Sequence, residues 1–161
     1  MWAVIWTVIW AVISAAVCAL AAWSAIAAVR HRYTVVQVDG TSMAPTFADG
    51  DRLLVRRARL GTVKRGDVVV FRTPPGHQAA DTPPWLVKRA AAIPGDGVPA
   101  DMRPAVGDDT EVPAGRLMVR GDNPRSLDSR NFGYIDADGF RGVAVRRFGQ
   151  TGPAGGQPPS R

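Results

Sequence analysis

The 161-residue sequence predicts a mainly β domain standing behind one N-terminal apolar helix. Three observations lead there. Residues 2–29 contain no charged side chain, and only Thr7, Ser14 and Ser24 interrupt them with a hydroxyl. Beyond residue 32 no apolar period of useful helical length appears. The chain there runs instead as short β-branched and aromatic segments separated by Gly, Pro and Asp turns, the pattern of strands.

As a helix, residues 2–29 would extend about 42 Å, more than a hydrocarbon core of about 30 Å requires. Tilting, or running the ends into the interface, accommodates the excess. Trp2, Trp6 and Trp10 share one face at helical spacing and Trp23 lies near the other end, as an aromatic belt requires. A cleaved signal peptide would show a basic leader and an apolar stretch of 7 to 15 residues. This run has neither, so it reads as a retained single-pass anchor over 1–29.

Strands are expected at 33–38, 52–56, 67–72, 85–93, 117–120 and 140–148. A Pro-rich loop fills 73–84, and 97–115 reads as a small irregular excursion. Together 30–148 make one β domain of ordinary size. Residues 149–161 are Gly/Pro/Gln/Ser-rich and lack the apolar content to bury themselves, so they read as a disordered tail.

The charge balance is +6, from 20 basic and 14 acidic residues. The arginines are spread thinly, apart from Arg52, Arg56, Arg57 and Arg59, with no aromatic interleaving or nucleic-acid-binding motif. A basic face toward a lipid headgroup layer fits better than nucleic acid. Cys18 is the only cysteine and lies inside the apolar run, which excludes a disulfide framework and a thiolate metal site. His31 and His77 are the only histidines, one abutting the apolar run and one in a Pro/Gly loop, so a His-based triad or a His-ligated metal has little to draw on. Acid–base chemistry falls to Lys, Asp or Glu, with no cofactor or metal implied.

Three clusters carry chemistry. In Val38-Asp39-Gly40-Thr41-Ser42-Met43-Ala44-Pro45-Thr46, Gly40 and Pro45 constrain the backbone around Ser42. That suits an oriented nucleophile, and equally a plain turn. Lys88 lies in the apolar run Leu86 to Ile93, in a chain with two lysines and eighteen arginines. Arginine stays protonated, whereas a buried lysine is neutralised by desolvation and becomes a base. The alternative is a snorkelling lysine on an edge strand. Lys64, in a polar turn, is the weaker candidate base. Alternation along a strand separates Lys88 from Arg89. The third cluster, residues 121–130, is dense in hydrogen-bonding groups and reads either as part of a site or as an Asx-type turn with a surface ion pair.

Taken together, these clusters resemble the type I signal peptidases, membrane-bound proteases with a Ser-Lys dyad. The matching pieces are Gly40-Thr41-Ser42-Met43-Ala44-Pro45-Thr46, Arg65-Gly66-Asp67-Val68-Val69-Val70-Phe71, Val87-Lys88-Arg89 through Pro94-Gly95-Asp96, and Gly121-Asp122-Asn123 through Ser126, Asp128-Ser129-Arg130. They occur in the family's order behind an N-terminal anchor. The resemblance implies a signal-peptidase-like β-fold with Ser42 as nucleophile and Lys88 as general base. It implies that Ser126 orients the lysine, that the Ser42 backbone N–H donates to the oxyanion, and that Arg89, Asp128 and Arg130 form a structural ion-pair group. Exported preproteins with small residues before the cut are the implied substrates, bound by strand addition.

The sequence departs from the family in places. Gly40 stands where some members carry an oxyanion-hole serine, which leaves a second donor unidentified. The segment after Asn123 is one residue shorter than the commonest spacing, and Ala90-Ala91-Ala92 replaces bulkier residues. Arg30 and Arg32 come after the anchor, so the positive-inside rule favours a cytoplasmic domain, whereas the resemblance implies the extracytoplasmic face of the cytoplasmic membrane. An upstream start supplying basic residues would reconcile the two. The alternatives are a dedicated maturation peptidase for one precursor, such as a metalloenzyme or conjugation pilin, an SOS-type autoprotease, and a non-catalytic anchored binding module. The autoproteases lack a membrane helix and need a cleavage segment of their own, which this sequence does not display. Oligomeric state is left open.

Overall fold

The computed structural model describes residues 2–78 and 83–148. The tail expected at 149–161 lies outside the described residues, as does part of the Pro-rich loop. The chain divides into two compact units, Met1–Thr34 and Val35–Arg161.

The first unit is built on helix α1, Trp2–Arg32. It ends three residues later than the apolar run. Nothing in Arg30-His31-Arg32 breaks a helix, and basic groups in the last turn complement the negative end of the helix dipole. Ser14 and Ser24 donate their hydroxyls to the carbonyls of Trp10 and Leu20, at 2.8 and 2.6 Å, so neither presents an unpaired polar group on the apolar surface. Within α1, Ile13–Arg32 is long and apolar enough to cross a membrane.

The second unit carries a seven-stranded sheet. In chain order the strands are β1 (Tyr33–Gln37), β2 (Arg52–Arg57), β3 (Val68–Arg72), β4 (Trp85–Ala92), β5 (Arg116–Arg120), β6 (Ile135–Asp136) and β7 (Phe140–Phe148). They lie in the order β1-β2-β7-β3-β4-β5-β6. The last strand is thus inserted between the second and third, tying both ends of the unit into one sheet. β7 runs antiparallel to both neighbours.

Six strands fall within a residue or two of their expected places. The sequence reading misses β6 and a short helix α2, Ser129–Phe132, because two and four residues are too few to display a period. α2 is specified by its cap instead. The Asp128 side chain accepts from the backbone of the first turn while Asn131 reaches back to the cap, a reciprocal capping box.

Apolar residues are buried on both faces of the sheet. One group joins Val69, Phe71, Ala90, Leu117, Val119 and Val143. Another joins Val38, Met43, Leu53, Val55, Val70 and Val87. The 97–115 excursion packs Val98, Met102 and Val112 onto Ala92 and Met118, so it is seated by its own small core.

Candidate active site

Ser42 lies in the loop joining β1 to β2. Gly40 turns the chain at φ 84°, a conformation that suits glycine, and its N–H donates to Asp49 Oδ1 at 2.7 Å. Two backbone bonds, Ala44 N to Thr41 O at 3.0 Å and Phe47 N to Met43 O at 2.9 Å, close tight turns around the serine. Met43 is fully buried among Val38, Leu53 and Val70, which anchors the residue after Ser42 in the core. Ser42 itself is half-buried.

Lys88 comes from β4, opposite Val69 of β3. Alternation sends it inward and leaves Arg89 partly exposed on the other face. Only 2% of Lys88 is exposed, and its Nζ donates to Ser126 Oγ at 2.7 Å. Burial pushes the ammonium down from 10.5 to about 8, against the pull of the Asp128 carboxylate, which favours the charged form. A lysine poised there loses its proton far more readily than one in water.

The loop after β5 brings the pieces together. Asn123 donates its backbone N–H to Ser42 O at 3.1 Å and its side-chain Nδ2 to Thr41 O at 3.0 Å. Gly121 sits where any side chain would collide. A Cβ there would overlap Ser126 Oγ and stand 2.7 Å from Ser42 O, so Gly121 is the spacer between the two serines. Among the described residues, the Ser42 hydroxyl makes no hydrogen bond and the Ser42 N–H donates to no acceptor. The oxygen is free to receive a substrate and the N–H is free to meet an oxyanion. Catalytic hydrogen bonds commonly tighten only once substrate is bound.

The expected Arg89–Asp128–Arg130 group is two separate pairs. Arg89 grips Asp122, with Nε to Oδ1 at 2.9 Å and Nη2 to Oδ2 at 2.6 Å, and donates Nη1 to Gly66 O at 2.9 Å. Asp128, fully buried, instead takes Arg130 Nε at 2.9 Å, Arg130 Nη2 at 2.8 Å and the Gly121 N–H at 3.0 Å. The separation comes from strand alternation, which points Arg89 away from the face that Lys88 shares with Ser126. Burial works to raise the Asp128 carboxyl, but the Arg130 bonds and the backbone N–H groups of Gly121 and Arg130 hold it below the usual range. The Arg89 bond likewise holds Asp122 low. Asp122 stands inside the Gly121-Asp122-Asn123 motif, but nothing in its spacing tells which arginine it meets. Lys64 lies in an exposed turn, where its backbone N–H donates to Asp67 Oδ2 at 2.9 Å. Among the described residues no cluster of three His, Cys, Asp or Glu side chains is placed to hold a metal ion.

This arrangement supplies a constrained serine, a buried lysine of lowered pKa, a hydroxyl fixing the lysine, and a free backbone N–H at the serine. Those are the parts of an acyl-transfer site. The family model for signal peptidase, peptidase S26, matches residues 5–103 and 99–148. A signal peptidase I of Bacillus licheniformis is 31% identical over 145 residues, covering 66% of this chain and 72% of its own. The mitochondrial inner membrane protease subunit 1 of Schizosaccharomyces pombe is 36% identical over 122 residues, covering 71% and 73%. A solved signal peptidase I from Enterococcus faecalis aligns with 52% of this chain and 97% of its own, at 21% identity and a TM-score of 0.38.

Proposed function

Because this chain belongs to the signal peptidase family, peptidase S26, a family of serine endopeptidases, we propose that Ser42 and Lys88 are its catalytic dyad and exported preproteins its substrates. The observation that carries this reading is the buried Lys88 amine bonded to Ser126 Oγ, across Gly121 from Ser42.

In the reaction, neutral Lys88 Nζ takes the proton of Ser42 Oγ as that oxygen attacks the scissile carbonyl. The Ser42 N–H stabilises the oxyanion of the tetrahedral intermediate. The Lys88 ammonium then protonates the departing amine, leaving an ester on Ser42 and a neutral lysine. Lys88 next removes a proton from water, which attacks the ester and regenerates the serine. Ser126 holds the amine at the required point throughout. With a pKa near 8, about one Lys88 in ten is neutral at pH 7, enough to sustain turnover and to make it rise with pH.

We place the catalytic domain on the extracytoplasmic side of the cytoplasmic membrane, anchored by α1, because signal peptides are removed from segments that have crossed. Strands β1, β2 and β7 are neighbours and carry five arginines besides Arg147, which pairs with Asp51, and no acidic residue. That charge supports an anionic headgroup layer as the surface they meet. The test of the function is cleavage of a preprotein in liposomes, with the new N-terminus sequenced. A single cut after a small residue, absent with Ser42→Ala, is the expected result. A cut that persists with Ser42→Ala would refute the assignment.

A further inference from the structure

The loop that carries Ser42 is held by a residue that the dyad chemistry does not use. Arg147, near the end of β7, forms an ion pair with Asp51, Nε to Oδ2 at 3.0 Å, and donates Nη1 to Thr46 O at 3.3 Å. Asp51 is fully buried, and its Oδ2 also takes the Ala48 N–H at 2.8 Å. Its other oxygen, Oδ1, is buried with no hydrogen-bond partner. Among the described residues, Arg147 is therefore the only cation this carboxylate meets.

The three contacts fall at residues 46, 48 and 51, the returning half of the loop. The outgoing half, Thr41 and Ser42, is fixed by Asn123. Thr46 also acts on the loop after β5. Its side chain helps hold the Asp122 carboxyl low, and Asp122 is gripped by Arg89, the neighbour of Lys88. Residue 46 thus acts on the Asp122 carboxylate that Arg89 grips and accepts from Arg147 of β7.

We propose that Arg147 is a positioning residue for catalysis, its two-pronged contact with Asp51 and Thr46 setting where the Ser42 hydroxyl stands relative to Lys88. This rests on the Ser42–Lys88 reading. A guanidinium suits the task because its planar fork serves a carboxylate and a carbonyl at once, which a lysine ammonium at the end of a flexible stem does not. Displacements of about 1 Å in a reacting group are enough to cost up to about a hundredfold in rate.

The test measures kcat and KM for preprotein cleavage in liposomes with the full chain, comparing wild type, Arg147→Ala, Arg147→Lys, Ser42→Ala and Arg116→Ala. Arg116 makes an exposed pair with Asp136 and serves as the control for losing an arginine. Near-UV circular dichroism identifies the folded variants. Arg147→Ala is expected to lose roughly tenfold or more in kcat with KM within about threefold, Arg147→Lys to fall between it and wild type, and Arg116→Ala to match wild type. Wild-type kcat in a folded Arg147→Ala would overturn the proposal, leaving the arginine a purely structural part. If Arg147→Ala does not fold, Arg147→Lys decides alone, and full kcat there overturns it. Cleavage surviving Ser42→Ala would remove the underlying reading instead, an outcome distinct from either.

Discussion

Lys88 and Ser126 lie 38 residues apart in the chain and meet at 2.7 Å, amine to hydroxyl, in a site where the lysine is almost wholly buried. The contact does not neutralise a charge. It holds in place an amine whose proton burial has loosened.

Activity is expected to depend on pH through this amine. With neutral Lys88 as the proposed acceptor of the Ser42 proton, kcat/KM should rise about tenfold per pH unit below a midpoint near 8 and level off above it. Initial rates across pH 6 to 10 check this. A midpoint near 6, where histidine titrates, would be incompatible with a lysine base.

Stability carries the same signature. The folded-state pKa of Lys88 is depressed, so between about 8 and 10.5 the unfolded chain holds more protons than the folded one. Stability therefore increases as pH rises through that window and stays at its reduced level below it. Lys88→Met removes the dependence and is expected to be the more stable protein at pH 7, by up to about 3 kcal/mol. Urea melts of both at pH 7 and pH 10 measure the difference, and parallel pH profiles would contradict it.

Asp128 sets where the limb lies. Its carboxylate raises the Lys88 pKa against the larger effect of burial. Asp128→Asn removes that pull, so the midpoint of kcat/KM is expected to move below 8. The variant also loses the Arg130 pair and weakens the cap of α2, at a cost of about 3 kcal/mol or more for breaking a buried pair. The pH profile of the folded fraction separates the two effects, and an upward shift would be the wrong sign.

Gly121 tests the spacing. Gly121→Ala places a methyl group on Ser126 Oγ and against Ser42 O. Ser126 has to leave Lys88, or the Ser42 loop has to move, and kcat is expected to fall at least about a hundredfold. A variant with wild-type kcat would show that the two serines need not be so close.

Much of this was legible in the sequence. The apolar helix and six strands emerge from apolar run length and β-branched runs, while Ser42 and Lys88 were singled out by their settings and Ser126 by the family resemblance. The pairing of the arginines was not. Arg89 meets Asp122, and Arg130 meets Asp128, because alternation along β4 sends Lys88 and Arg89 to opposite faces. The rule separating those two side chains was available, but which carboxylate waits on each face depends on how the 121–130 loop folds back. Arg147 and Asp51 were equally silent. They are brought together by the insertion of β7 between β2 and β3, a topological fact with no local mark.

That Lys88 is the base for Ser42 is tested most directly by single-turnover cleavage of a saturating preprotein at pH 9 by wild type, Lys88→Met and Ser42→Ala. Both variants are expected to lose cleavage to the same background, at least about a thousandfold below wild type, since nucleophile and base act as one unit. Lys88→Met cutting at a rate near wild type, with Ser42→Ala inactive, would leave the serine its nucleophile and contradict the lysine as its base.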